Sequence, residues 1–211
     1  MAPDSMIPRL LLITDRHLAN DLVMAISQAV AGGVRHILLR EKDLSDQEFV
    51  RLAHKIQQNL AGSTAHLLLS GRPHLLQATH AIGIHLPQNG PSIAKTRAIL
   101  GQGKLIGRSC HDYPSARQAF LEGADYITLS PLFFTHSHPD ATPLGLEKFS
   151  EILRMLNRPV LALGGINADT IQQALTTGAY GVAMVRGILD QNDPQSQANH
   201  MITQITHFTR R

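Results

Sequence analysis

Eight times along this chain a short run of Leu, Ile and Val gives way to a longer amphipathic segment. The apolar runs fall at residues 9–14, 36–40, 65–69, 83–86, 105–110, 126–129, 159–163 and 181–185. Unbroken apolar character, without strict alternation, suits parallel strands covered on both faces. The intervening segments carry helix signals. Ser45 precedes DQEFVRLAHKIQQNL, Pro114 opens SARQAFLEG with Gly123 closing it, and Asn167 precedes ADTIQQALTTG. The triplets GAD at 123–125 and GAY at 178–180 repeat one helix-to-strand turn.

Eight strand–helix units in 211 residues match the lower end of the size range of a single-domain (β/α)8 TIM barrel spanning 1–211. The competing parse is a doubly wound sheet. That fold normally has fewer strands and a glycine-rich first turn, whereas the first turn here is Asp15-Arg16-His17-Leu18. The apolar run near the start is too short for a signal core or a membrane span, so no membrane is expected and the default address is cytoplasmic. The single cysteine, Cys110, agrees with a reducing compartment and reads as a small buried strand residue. The formal charge is +3, but the basic residues are scattered, with no run longer than Arg210-Arg211. Scatter of that kind points to a small anionic ligand rather than to nucleic acid, although solubility explains it equally well.

A barrel puts its chemistry at the carboxyl ends of the strands. The candidates are then Asp15, Arg40-Glu41-Lys42, Ser70-Gly71-Arg72, Gln88 and Asn89, His111, Ser130, Gly164-Gly165 and Arg186-Gly187. His111 falls at the active face rather than mid-strand, with a side chain whose ordinary pKa suits proton transfer. Gly164-Gly165-Ile166-Asn167 and Val185-Arg186-Gly187 follow strands seven and eight, the usual halves of a barrel phosphate site. Glycine pairs also simply turn chains, and Arg186 also reads as an exposed helix-initiating residue. Arg40 and Lys42 share a strand face if the strand continues, with Glu41 opposed, and would meet a carboxylate or phosphate oxygen. A structural Arg–Glu pair is the plainer reading of the same residues.

ILLREKDL at 37–44, GRSCHDYPSA at 107–116, DYITLSPLFFT at 125–135, PVLALGGINADTI at 159–171 and GVAMVRGI at 181–188 resemble, in order and spacing, the motifs of the thiamine phosphate synthase superfamily. The resemblance covers essentially the whole chain and implies a barrel acting on a thiazole phosphate. Departures then separate its branches. Synthases carry a glutamine where Leu38 stands, a metal-binding aspartate within the triplet that is Ser70-Gly71-Arg72 here, and a second metal carboxylate where Pro87-Gln88-Asn89-Gly90 stands. The loop Phe134-Thr135-His136-Ser137-His138 lacks their lysine. Magnesium wants hard oxygen ligands, so no metal and no other cofactor is expected; His136 and His138 favour softer ions and read as a solvated loop.

The same departures are similar to the TenI branch of thiazole tautomerases, through Gly107-Arg108-Ser109-Cys110-His111, Ser70-Gly71-Arg72 and Leu86-Pro87. That resemblance implies an isomerase that aromatises a carboxythiazole phosphate. In it His111 shuttles the proton, Gly164, Gly165, Val185 and Arg186 hold the phosphate, Arg40 meets the carboxylate, and Ser109 or Ser130 orients the ring. Two readings stand beside it: a magnesium-dependent synthase joining a pyrimidine diphosphate to thiazole phosphate, and a regulatory barrel that binds a phosphorylated ligand without turnover. A homodimer is allowed, since nothing in the sequence sets the number of subunits. Residues 135–143 read as a lid, with Asp140 a turn residue in it.

Overall fold

Strands β1 (Leu10–Ile13), β2 (His36–Leu39), β3 (His66–Ser70), β4 (Gly83–Leu86), β5 (Leu105–Cys110), β6 (Tyr126–Leu129), β7 (Val160–Ala162) and β8 (Gly181–Met184) pair in chain order, all parallel. β8 returns to pair with β1, so the sheet closes into a barrel and the open doubly wound alternative falls. The structure is a computed structural model that describes residues 6–209; residues 1–5 and 210–211, including the Arg210-Arg211 pair, lie outside the described residues.

Strand parity sorts the side chains into two cores. Leu11, Ile13, Leu38, Leu68, Leu105, Tyr126, Leu161 and Ala183 fill the barrel interior. Their neighbours Leu10, Leu12, Ile37, Leu39, Ile84, Ile106, Ile127 and Val182 point outward against the helices. Both faces are therefore buried, which is why the runs are continuously apolar rather than alternating.

Helices α1 (Leu22–Ala31), α2 (Asp46–Asn59), α3 (Leu76–Thr79), α4 (Ile93–Leu100), α5 (Tyr113–Leu121), α6 (Gly145–Leu156), α7 (Ile171–Thr176) and α8 (Arg186–Leu189) follow the strands in turn, and α9 (Pro194–Thr209) ends the chain. Ser45 caps α2 in a capping box with Glu48. Two expected starts move. α5 is capped by Asp112, which places Pro114 inside its first turn. Asn167 caps a turn through Asp169 and Thr170, so α7 begins only at Ile171. Among the described residues no helix is long and apolar enough to cross a membrane. Cys110 is buried as expected, and desolvation pushes its thiol pKa up to about 12.

Candidate active site at the barrel mouth

At the end of β2 the acid turns away from the two bases. The Thr14 hydroxyl donates to Glu41 Oε1 (2.6 Å) and accepts from the Arg40 N–H (2.9 Å). The other Glu41 oxygen takes the Arg16 N–H (3.2 Å) and the Arg16 guanidinium (3.4 Å), while Glu41 itself is 3% exposed. The expected structural Arg–Glu pair thus exists, but with Arg16. Among the described residues neither Arg40 nor Lys42 has a carboxylate partner. The Arg40 charge, followed by desolvation, holds the Lys42 ammonium below its ordinary pKa. Arg40 shares the inward parity of His36 and Leu38, so the pair flanks the mouth as uncompensated positive charge.

β5 and β6 meet through His111. Its Nδ1 donates to the Ser130 carbonyl oxygen (2.7 Å), with Ser130 Oγ 3.2 Å from the same nitrogen. A carbonyl only accepts, so Nδ1 carries the hydrogen and Nε2 of the neutral ring carries the lone pair. Ser109 is committed inward: its Oγ lies 3.0 Å from His85 Nε2. Thr128 Oγ1 is 3.3 Å from that nitrogen, and the Tyr126 hydroxyl is 3.2 Å from His85 Nδ1. Desolvation, then the Arg108 charge, pushes the His85 pKa down to about 3, so this buried ring stays neutral. Sequence reasoning missed His85. Gly107 makes room for it, since a Cβ there would sit 2.4 Å from both His85 Nδ1 and Tyr126 Cζ.

The turns after β6, β7 and β8 form one wall. Gly164 and Gly165 adopt φ of 100° and 67°. A Cβ on Gly164 would lie 2.7 Å from Pro131 Cβ, and one on Gly165 2.4 Å from the Phe134 carbonyl oxygen, so packing demands both glycines. A Cβ on Gly187 would lie 2.8 Å from the Ile166 carbonyl oxygen, which brings the β7 and β8 turns together. The backbone N–H groups of Gly164, Gly165 and Ile166 donate to no group among the described residues. Consecutive free amides at a positive-φ pair make a concavity suited to an anion. Val185 precedes α8, and the half-exposed Arg186 guanidinium is engaged by Asp190 (2.9 Å), so only its backbone remains for a ligand.

The magnesium site that the superfamily implies does not fit this donor set. After β3, Arg72 stands at φ 53° with its guanidinium on Asp46 (2.9 Å) and the Leu44 carbonyl (2.5 Å), above the Phe49 ring. After β4, Arg108 reaches over from β5 and takes the carbonyls of Pro87 (3.2 Å), Gln88 (2.8 Å) and Pro91 (2.6 Å). Of the other acids in the strand-end turns, Asp43 is engaged by Arg16, Asp112 by the Ser115 amide and Asp15 by the His17 amide, while Asp140 and Asp169 are exposed. Among the described residues no three His, Cys, Asp or Glu side chains gather to hold a metal, His136 and His138 included.

The closed parallel barrel, with free amides in the turn after β7 and two cations without a carboxylate partner after β2, defines a (β/α)8 protein. The family model for thiamine monophosphate synthase matches residues 10–188, and the chain belongs to that family. A putative thiamine-phosphate synthase of Geobacter sulfurreducens is 38% identical over 204 residues, covering 95% of this chain and 96% of that one. A thiamine-phosphate synthase of Syntrophomonas wolfei is 34% identical over 195 residues, covering 91% and 93%. Among solved structures, thiamine phosphate pyrophosphorylase from Pyrococcus furiosus superposes with a TM-score of 0.87 at 27% identity, covering 95% of this chain and 96% of the other.

These relatives overturn the tautomerase expectation, and with it the isomerase class. The proteins that match nearly end to end are named as synthases, and the likeness runs through the barrel as a whole. The expectation leaned on Leu38, on the loops Ser70-Gly71-Arg72, Leu86 to Gly90 and Phe134 to His138, and on the motif Gly107-Arg108-Ser109-Cys110-His111. In this chain Arg72 and Arg108 hold the turns after β3 and β4.

Proposed function

We propose that this chain is a transferase of the thiamine phosphate synthase type, joining a thiazole phosphate to a hydroxymethylpyrimidine diphosphate. The observation that carries the reading is the presence of two separate anion-binding features on one face: the free amides of Gly164, Gly165 and Ile166, and the unpaired cations Arg40 and Lys42. A monophosphate on one substrate and a diphosphate on the other match that pair. The monophosphate is assigned to the amides with the backbone of Val185 and Arg186, the diphosphate to Arg40 and Lys42.

The reaction forms one C–N bond and breaks one C–O bond. The thiazole nitrogen supplies its lone pair to the pyrimidine methylene carbon, and the diphosphate leaves with the C–O electrons. The attacking nitrogen has no proton to lose, so the chain's work is to align the two rings and receive the leaving charge. His111 is then a positioning residue: its Nδ1–H holds the β6 turn through the Ser130 carbonyl (2.7 Å) and keeps the wall of the pocket in place. Ser130 presents its hydroxyl to the rings, while Ser109 is held by His85 (3.0 Å) beneath them. The reading is tested by mixing purified protein with each substrate alone and with both. Inorganic pyrophosphate released only from the complete mixture supports a transferase; release from the diphosphate alone, or none at all, rejects it.

A further inference from the structure

The arginines at the mouth suggest how the leaving group is handled. In place of acids, the β3 and β4 turns hold guanidinium groups, and Arg108 takes three carbonyl oxygens of the 87–91 loop. Its Nε is buried without a partner, so the group is committed to that loop by its Nη atoms. A divalent cation placed here would meet fixed positive charge and carbonyls already in use. Meanwhile Arg40 and Lys42 stand side by side without a counterion, an arrangement that a bound polyanion relieves.

We propose that this chain meets the diphosphate charge with its own side chains, Arg40 and Lys42, and without a divalent cation. His138 belongs to the loop that follows β6, where its N–H is tied back to the Thr135 carbonyl (3.2 Å). Burial and then the charges of Arg40, Lys42 and His111 hold its imidazole below the ordinary histidine range. An incoming diphosphate reverses that repulsion: each cation then favours its neighbours' charge instead of opposing it. When the C–O bond breaks, the electron pair passes to the diphosphate oxygen, so the trianionic ester leaves as a pyrophosphate tetra-anion held by these groups, while the thiazole nitrogen takes up the balancing positive charge. The inference deepens the transferase reading and rests on it only for the identity of the anion.

The test is calorimetric titration of the intact protein with inorganic pyrophosphate, once in excess chelator and once in excess magnesium. Affinity in chelator within about threefold of that in magnesium is expected, and Arg40→Met and Lys42→Met should each weaken the chelator value by about tenfold or more. Lys42 is exposed, so its variant keeps the fold, which circular dichroism verifies. Binding seen only with magnesium, or in neither buffer, overturns the inference, as does chelator-resistant binding that neither variant weakens. The condensation assay run in the same two buffers separates the claims. Product only with magnesium keeps the transferase and discards the metal-free site. Chelator-resistant, Arg40-dependent binding with no product in either buffer keeps the site and discards the transferase.

Discussion

His111 Nδ1 sits 2.7 Å from the carbonyl oxygen of Ser130, and this contact, with the Ser130 N–H on the Cys110 carbonyl (3.1 Å), joins the end of β5 to the turn after β6. Since the nitrogen attacking in the proposed reaction carries no proton, the contact matters as a strut rather than as a proton relay. His111→Asn keeps a side-chain N–H at about the place of Nδ1; His111→Ala does not. Steady-state condensation should fall by no more than about threefold in the Asn variant and by about tenfold or more in the Ala variant. Equal and severe losses in both, with the folds intact, would restore an acid/base role.

Gly165 and Arg186 separate backbone from side-chain recognition of the phosphate. Gly165→Ala drives a Cβ toward the Phe134 carbonyl oxygen at 2.4 Å and disturbs the free amides, so KM for thiazole phosphate should rise by about tenfold or more. Arg186→Ala should change it by less than about threefold, because the guanidinium already serves Asp190 (2.9 Å). The reverse order would move recognition to the Arg186 side chain.

Two buried histidines predict an acid-sensitive barrel. Burial lowers the pKa of His36 from 6.5 to about 4, with the His66 charge adding to the effect, and lowers that of His85 to about 3. Above the unfolded value of 6.5 both states are neutral and stability is complete. As pH falls below it, the unfolded chain takes protons that the folded barrel refuses, and stability drops until about pH 4 for His36 and about pH 3 for His85. Each contributes a slope of about 1.4 kcal/mol per pH unit at most. Urea unfolding at pH 7, 6 and 5 should show the decline, and His85→Asn should flatten it. Stability constant from pH 7 to 5 would refute the prediction.

Arg72 combines good contacts with an awkward backbone. Its guanidinium holds Asp46 and the Leu44 carbonyl at 2.9 and 2.5 Å, yet its φ is 53°. Arg72→Ala loses the contacts and keeps the strain, a loss of about 2 kcal/mol in urea unfolding. Arg72→Gly loses the same contacts but relaxes the backbone, so it should be about 1 kcal/mol less damaging. Equal effects would show that the backbone is not strained.

The barrel was legible in the sequence because burial on both faces writes itself as unbroken apolar runs. Ends were less legible, for local reasons. β2 stops at Leu39 rather than Arg40 because the Arg40 N–H donates to the Thr14 hydroxyl (2.9 Å) instead of to a strand carbonyl. α7 starts late because the Asn167 carboxamide caps a turn ahead of it. His85 was illegible as a site residue, since its partners Ser109, Tyr126 and Thr128 lie far along the chain and only barrel closure assembles them. The separation of Glu41 from Arg40 and Lys42 could be read from parity, but that Arg16 takes the acid could not. Function was misread for a related reason: the missing carboxylates were visible, whereas the arginines holding those loops were not.

The most direct measurement is the formation of thiamine phosphate itself, quantified by chromatography after the protein is incubated with thiazole phosphate and hydroxymethylpyrimidine diphosphate. Thiamine phosphate appearing in one-to-one proportion with released pyrophosphate is the predicted result. Both substrates recovered unchanged, under conditions in which an active synthase converts them, would contradict the assignment of this chain as a transferase.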